Sequence, residues 1–175
     1  METKPSRRII FYILWGAILF SNFVFLGLVL GGLLQSGQST QSEGLSLYGP
    51  IIFACITGPA SLMIFIRATS STRIKEMLQN LSLELPQAPN QTQQQRDQFE
   101  KLPIVEKKKI LVEQRSFILL ILAWVFTETV SVAGIYMIIL GGPKDYFVYF
   151  SIAAVLIHIK NFPKAFFKVV DEVVR

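Results

Sequence analysis

One cysteine, Cys55, and one histidine, His158, are all that 175 residues hold of the two side chains most often seen on transition metals. No intrachain disulfide and no clustered Cys or His metal site can be built from them, and no cofactor is expected. Cys55 reads as a small buried hydrophobe. Charge is also scarce: Asp, Glu, Lys and Arg make up 17% of the chain, below the roughly 25% usual in soluble domains. The sequence has no phosphate-cradling glycine loop, no His-x-x-x-His or Cys-x-x-Cys pair and no Gly-x-Ser-x-Gly elbow. A membrane hydrolase or transferase needs several polar side chains gathered at one interface, and His158 stands alone. The sequence therefore does not read as an enzyme.

What is present is apolar length. The chain is 51% hydrophobic, with 14 phenylalanines. Its apolar residues gather into four runs near the roughly 20 residues that a helix needs to cross a ~30 Å hydrocarbon core. These are Ile9–Leu34, Leu47–Ile66, Phe117–Leu140 and Tyr146–Ile159. Backbone groups in lipid find no water, so each span must be a helix or part of a closed barrel. Barrel strands alternate polar and apolar residues and these runs do not. The expectation is an all-α polytopic membrane protein, one membrane domain over residues 1–175, with four transmembrane helices arranged as two hairpins. The fourth run is short and should lean on interfacial Tyr146 and a snorkelling Lys160. The first follows Lys4, Arg7 and Arg8 but is much longer than a signal-peptide core, and it reads as a retained signal anchor.

Charge sets the orientation. Of 17 Lys and Arg residues, three precede the first span, nine lie between Arg67 and Arg115, four follow the fourth span, and Lys144 alone lies on the other side. By the positive-inside rule both termini and the loop over residues 67–116 are cytoplasmic. The compact hairpins fit the plasma membrane of a bacterium, its inner membrane. Asn80-Leu81-Ser82 and Asn90-Gln91-Thr92 then lie inside and should stay unglycosylated. The +5 net charge spreads along the inner membrane face, where anionic lipid attracts it, and does not indicate nucleic acid.

Within the loop, Ile74, Met77, Leu78 and Leu81 have amphipathic spacing and predict a helix continuing from the second span. Pro86 and Pro89 punctuate a Gln-rich stretch, Gln87 to Gln98, that reads as a flexible linker. A charged helix from Ile104 should carry Lys107, Lys108 and Lys109 to the third span. The tail, residues 162–175, places Phe162, Phe166, Val169, Val170 and Val173 on one face. That pattern suits either a helix in the inner interface or one lying in a partner's groove. The halves also look alike: Ser21-Asn22 corresponds to Thr127-Glu128 and Gly31-Gly32 to Gly141-Gly142, as a duplication into parallel repeats would produce.

Glu128 is the one acidic residue inside a span. A carboxyl at mid-bilayer costs roughly 2.5 to 3.5 kcal/mol on insertion scales, so it should face the bundle and be paired or protonated. Ser21, Asn22, Thr57, Ser61, Thr127 and Ser131 lie at matching depth, predicting a polar layer across the bundle. His158, one to two turns nearer the inner face, is a candidate second step of a proton path or an interfacial group. The layer suits proton or cation binding, or interhelical hydrogen bonding alone. Gly27 and Gly31 form a small-xxx-small pattern for close helix approach within the chain or between copies. Gly58-Pro59 should bend the second span.

The segment Ala123-Trp124-Val125-Phe126-Thr127-Glu128-Thr129-Val130-Ser131-Val132-Ala133-Gly134-Ile135-Tyr136 resembles the carboxylate helix of rotary ATPase proteolipid c subunits. The resemblance implies that Glu128 is an ion-carrying carboxylate. Here, however, charge places both hairpin turns outside, and Glu128 is on the first helix of its hairpin. Taken together, the residues suggest a structural or accessory subunit of a membrane assembly, whose partners are the lipid bilayer and other membrane subunits or a second copy. The alternative is a proton- or cation-coupled channel, transporter or rotor-like subunit using Glu128.

Overall fold

A computed structural model describes residues 7–32, 45–81 and 93–174. Every regular element among them is helical: α1 Arg7–Leu30, α2 Leu45–Thr69, α3 Ser71–Gln79, α4 Gln93–Glu100, α5 Ile104–Ile139, α6 Lys144–Lys160 and α7 Pro163–Val173. Four helical stretches, Arg8–Leu30, Tyr48–Thr69, Ile104–Ile139 and Lys144–Val173, are long and apolar enough to cross a membrane. The chain is an all-α, four-span membrane protein in architecture. Leu33 and Leu34 of the first run, the loop after it and the first part of the Gln-rich stretch lie outside the described residues.

α5 is the central post, packed most extensively against α2 and α6, while α1 lies against α6 and α5 rather than along α2. Contacts between Arg8 and Glu113 and between Ser21 and Glu128 run α1 parallel to α5. The bond from Ser61 to the Ala123 carbonyl, with Ala54 packed by Val130 and Ala133, runs α2 antiparallel to α5. At 1.5 Å per residue the 36 residues of α5 extend about 54 Å, well beyond a ~30 Å hydrocarbon core. Its N-terminal turns, with Lys107 to Lys109, therefore project past the span.

The α5–α6 connection follows from two glycines and a proline. Gly141 takes a left-handed φ of 83°. Its N–H reaches the Ile138 carbonyl, and the Gly142 N–H reaches that of Met137, both at 2.9 Å. This 5→2 and 6→1 pattern satisfies two terminal carbonyls and stops the helix. Pro143 then sets the entry to α6.

The two halves share a second feature. α2 gives way to α3 at one extended residue, Ser70 (φ −66°, ψ 122°), and α6 gives way to α7 after Asn161, through extended Phe162 (φ −66°, ψ 129°). The amphipathic segment after α2 is thus a separate helix and not the expected continuation, because the Ser70-Ser71-Thr72 run suits a new helix start. The break lets Ile74 turn into the core. The Gln-rich stretch is likewise not all linker, since its end forms α4, and Phe99 is buried there with the Lys107 ammonium 5.8 Å from its ring centroid.

Lipid tails are as apolar as leucine, so packing, and not exclusion from water, joins these helices. The largest core is at the basic end, where α1, α2, α3, α5 and α7 bring together Phe11, Phe65, Ile74, Leu120, Trp124 and Phe166. The tail's apolar face is consumed there: Phe166, Phe167 and Val170 of α7 are buried against the chain's own bundle. Farther along, small residues set the spacing. A Cβ at Gly134 would stand 3.0 Å from both Phe147 and Phe150 side chains, and one at Gly58 would meet Ile157 at 3.3 Å. α2 remains one helix through Pro50 and Pro59. Cys55 is exposed on the bundle's outer surface and is not the buried hydrophobe its type suggested, because Ala54 takes the inward position.

Candidate functional site

α5 presents Thr127, Glu128 and Ser131 within little more than one turn. Successive residues differ by about 100° around a helix of 3.6 residues per turn, so they address different neighbours. Glu128 faces α1: Ser21 Oγ lies 2.5 Å from its Oε1, and Asn22 Nδ2 donates to Oε2 at 2.7 Å. Ser131 donates its hydroxyl to Asn22 Oδ1. Thr127 faces α2 and α6, where its Oγ1 is 2.7 Å from Ser61 Oγ, and Asn161 Nδ2 donates to Ser61 at 2.8 Å.

The expected single layer is therefore two clusters, Ser21–Asn22–Glu128–Ser131 and Ser61–Thr127–Asn161, with no hydrogen bond joining them among the described residues. Helix rotation separates them. Thr57 belongs to neither: it is buried, and its hydroxyl returns to the Phe53 carbonyl of its own helix. His158 is also apart, on the ring and backbone of Trp15, two turns along α1 from Asn22. Gly27 has open space where a Cβ would be, and Gly31 would meet only Gly27 of its own helix. Neither joins α1 to the bundle.

Protons can be counted at the carboxyl. Asn22 has two on its amide, one for the Ile18 carbonyl at 3.2 Å and one for Glu128. Ser21 has one, and its Oγ is 2.6 Å from the Ile18 carbonyl as well as against Glu128. A carbonyl only accepts. With the Ser21 proton on Ile18, the contact to Glu128 is completed by a proton on the carboxyl, which then donates to Ser21. Both oxygens of Glu128 thus have a partner on α1.

α6 ends inside this architecture, and the last carbonyls of a helix lack partners of their own. Two indoles supply them. Trp15 Nε1 donates to the His158 carbonyl and Trp124 Nε1 to that of Asn161, each at 3.0 Å. The His158 ring answers through Nε2, 2.9 Å from the Trp15 carbonyl. A carbonyl accepts, so Nε2 carries a proton, while Nδ1 is buried with no partner among the described residues.

At the basic end Arg8 bonds Glu113 at 2.9 Å and forks onto both oxygens of Asp171 at 2.9 Å, while Lys109 reaches Asp171 at 2.9 Å. Its guanidinium also sits 4.8 Å above the Phe167 ring. The Arg8 guanidinium, assisted by Lys109 and opposed by partial burial, holds the Asp171 carboxyl well below the usual carboxylate range. This cluster ties α1, α5 and α7 together. Asn161, Arg8, Glu113 and Asp171 are the polar residues that sequence reasoning missed. Asn161 lies just past an apolar run, and the ionic partners are 105 and 163 residues apart.

Among the described residues, no three His, Cys, Asp or Glu side chains gather to hold a metal ion. Compared with protein-family models, curated proteins and solved structures, the chain matches none.

Proposed function

We propose that this small integral membrane protein is a structural or accessory subunit of a membrane assembly, with α1 as its contact helix. One observation carries the reading: in the apolar window of α1, 11% of residues are buried, against 33% for α2 and 44% for α5. Its inward polar groups are already matched, and its outward surface includes Gly27, beside which nothing packs. A glycine on an apolar helix lets a second backbone approach closely, and lipid tails fill such a notch less well than another helix does. The partner is a further membrane subunit or a second copy. The reading includes cytoplasmic termini, a bacterial inner membrane and no catalytic activity. The basic ends of α2, α5 and α6 at one end of the bundle support that orientation through the positive-inside rule.

The test is the particle recovered from native membranes by mild extraction into nanodiscs. A species heavier than one chain, reduced to one chain by Gly27→Leu with unchanged helicity, is expected. A lone chain in both cases would overturn the reading.

A second reading, ion coupling through Glu128, is favoured by the half-buried position of that carboxyl on the α1–α5 seam. The resemblance to proteolipid c subunits belongs to it. Glu128→Gln separates the two: an assembly subunit keeps its complex and any flux, whereas an ion-coupled protein keeps the bundle and loses flux.

A further inference from the structure

Where α2 turns into α3, a groove of about 730 Å³ opens on the bundle surface. Its membrane-side wall is apolar, built from residues that include Ala60 and Met63, and its upper rim carries Arg67, Ser70, Arg73 and Glu76. Two guanidinium groups thus share one groove with a single carboxylate. Arg73 Nη1 leans on the Arg67 backbone carbonyl at 3.5 Å, and neither arginine has an ion pair among the described residues. Both burial and the neighbouring Arg67 charge work against the Arg73 charge. The Ser70 side chain makes no capping bond to α3, which leaves its hydroxyl available to a ligand.

Like charges held together call for an anion, and the apolar wall beneath calls for a hydrocarbon attached to it. We propose that the α2–α3 elbow binds an anionic phospholipid, with its phosphodiester between Arg67 and Arg73 and one acyl chain along Ala60 and Met63. The charges meet the headgroup at the level where α2 leaves its span. The Ser70 hydroxyl donates to a phosphate oxygen, and planar guanidinium groups suit bidentate phosphate contacts. The break at Ser70, which swings Arg73 back towards Arg67, creates the site; an unbroken helix would carry Arg73 away from the membrane. The inference is independent of the assembly reading, because the groove is formed by α2 and α3 and not by α1.

The full-length protein in neutral detergent is titrated with dioleoylphosphatidylglycerol and, separately, with dioleoylphosphatidylcholine, and bound lipid is read by native mass spectrometry. One phosphatidylglycerol is expected to bind in preference to phosphatidylcholine. At the usual worth of a basic residue near anionic lipid, Arg67→Gln with Arg73→Gln should lose about thirtyfold in that affinity. Lys107→Gln with Lys108→Gln, at the same end but outside the groove, should keep it. Arg67→Lys with Arg73→Lys retains the charge and should lose less. Millimolar inorganic phosphate should not displace the lipid. Equal binding of the two lipids, equal losses from the arginine and lysine pairs, or displacement by inorganic phosphate would each overturn the proposal.

Discussion

Trp15 and His158 hold each other by backbone as well as by ring. Each side chain bonds the other residue's carbonyl, at 3.0 and 2.9 Å, and the rings stack with centroids 5.2 Å apart. The pair pins α1 to the end of α6, where the carbonyl would otherwise be left without a partner in an apolar setting.

Trp15→Phe and His158→Phe should therefore each destabilise the chain, since each removes one bond and leaves the other bond's donor and backbone acceptor in place. Interhelical hydrogen bonds in membranes average about 0.6 and reach about 1.7 kcal/mol. Each variant should lose about that much. Unfolding equilibria in detergent measure both losses, and a variant as stable as the wild type would mean that its bond contributes nothing.

Glu128→Gln and Glu128→Ala should differ sharply in stability. A glutamine amide can donate to Ser21 and accept from Asn22, as a protonated carboxyl does. The alanine variant strands the Asn22 amide, a loss of about 1–3 kcal/mol for an unsatisfied buried group. Thermal unfolding of the two variants beside the wild type decides the matter. If glutamine proved as damaging as alanine, the carboxyl would be present as an anion.

Two glycines of identical chemistry should respond in opposite ways. Gly134→Leu drives a side chain into Phe147 and Phe150, already 3.0 Å from a bare Cβ, and overpacking of this kind costs about 1–3 kcal/mol. Gly27→Leu, with open space at its Cβ, should leave the unfolding midpoint of the isolated chain unchanged. Parallel melts in the same detergent test both.

Asp171 should add an acid-sensitive component to stability. Its carboxyl is held down in the fold by Arg8 and Lys109. The contribution is therefore complete above the unfolded value of about 3.9 and is lost as pH falls from there through the lower folded value. With 39% of the side chain exposed, screening limits it to no more than about 1 kcal/mol. The gap in melting temperature between wild type and Asp171→Asn should be open at neutral pH and narrow progressively as the pH falls below about 4.

The four spans were legible because apolar run length is a property of the sequence itself. Depth along a span was legible too: Ser21, Asn22, Glu128 and Ser131 stand at one level, and the structure brings them together. Rotation was not. Thr127 precedes Glu128 by one residue, yet it faces α2 and α6, and no hydropathy pattern in an all-apolar helix distinguishes those faces. Asn161 was invisible for another reason, since a polar residue after a short span reads as an interface residue, whereas here α2 and α5 enclose it. The break at Ser70 was marked by four hydroxyl residues in a row, Thr69 to Thr72, a cue that apolar periodicity overrode. Arg8, Glu113 and Asp171 could be seen only as surface charge until the helix ends were placed side by side.

The weak hold on α1 also bears on how the chain is made. The polar partners of α1 lie far downstream: Glu113 by 105 residues, Glu128 by 106 and 107, and His158 by 143. At about 5–20 residues per second, α1 must wait several seconds or longer in the bilayer before those groups emerge. During that interval the Asn22 amide is without Glu128 and Ser131. α1 is thus made well before α5, the first helix that offers it polar partners, and a ribosome stalled after α2 would leave it as a glycine-notched helix without them.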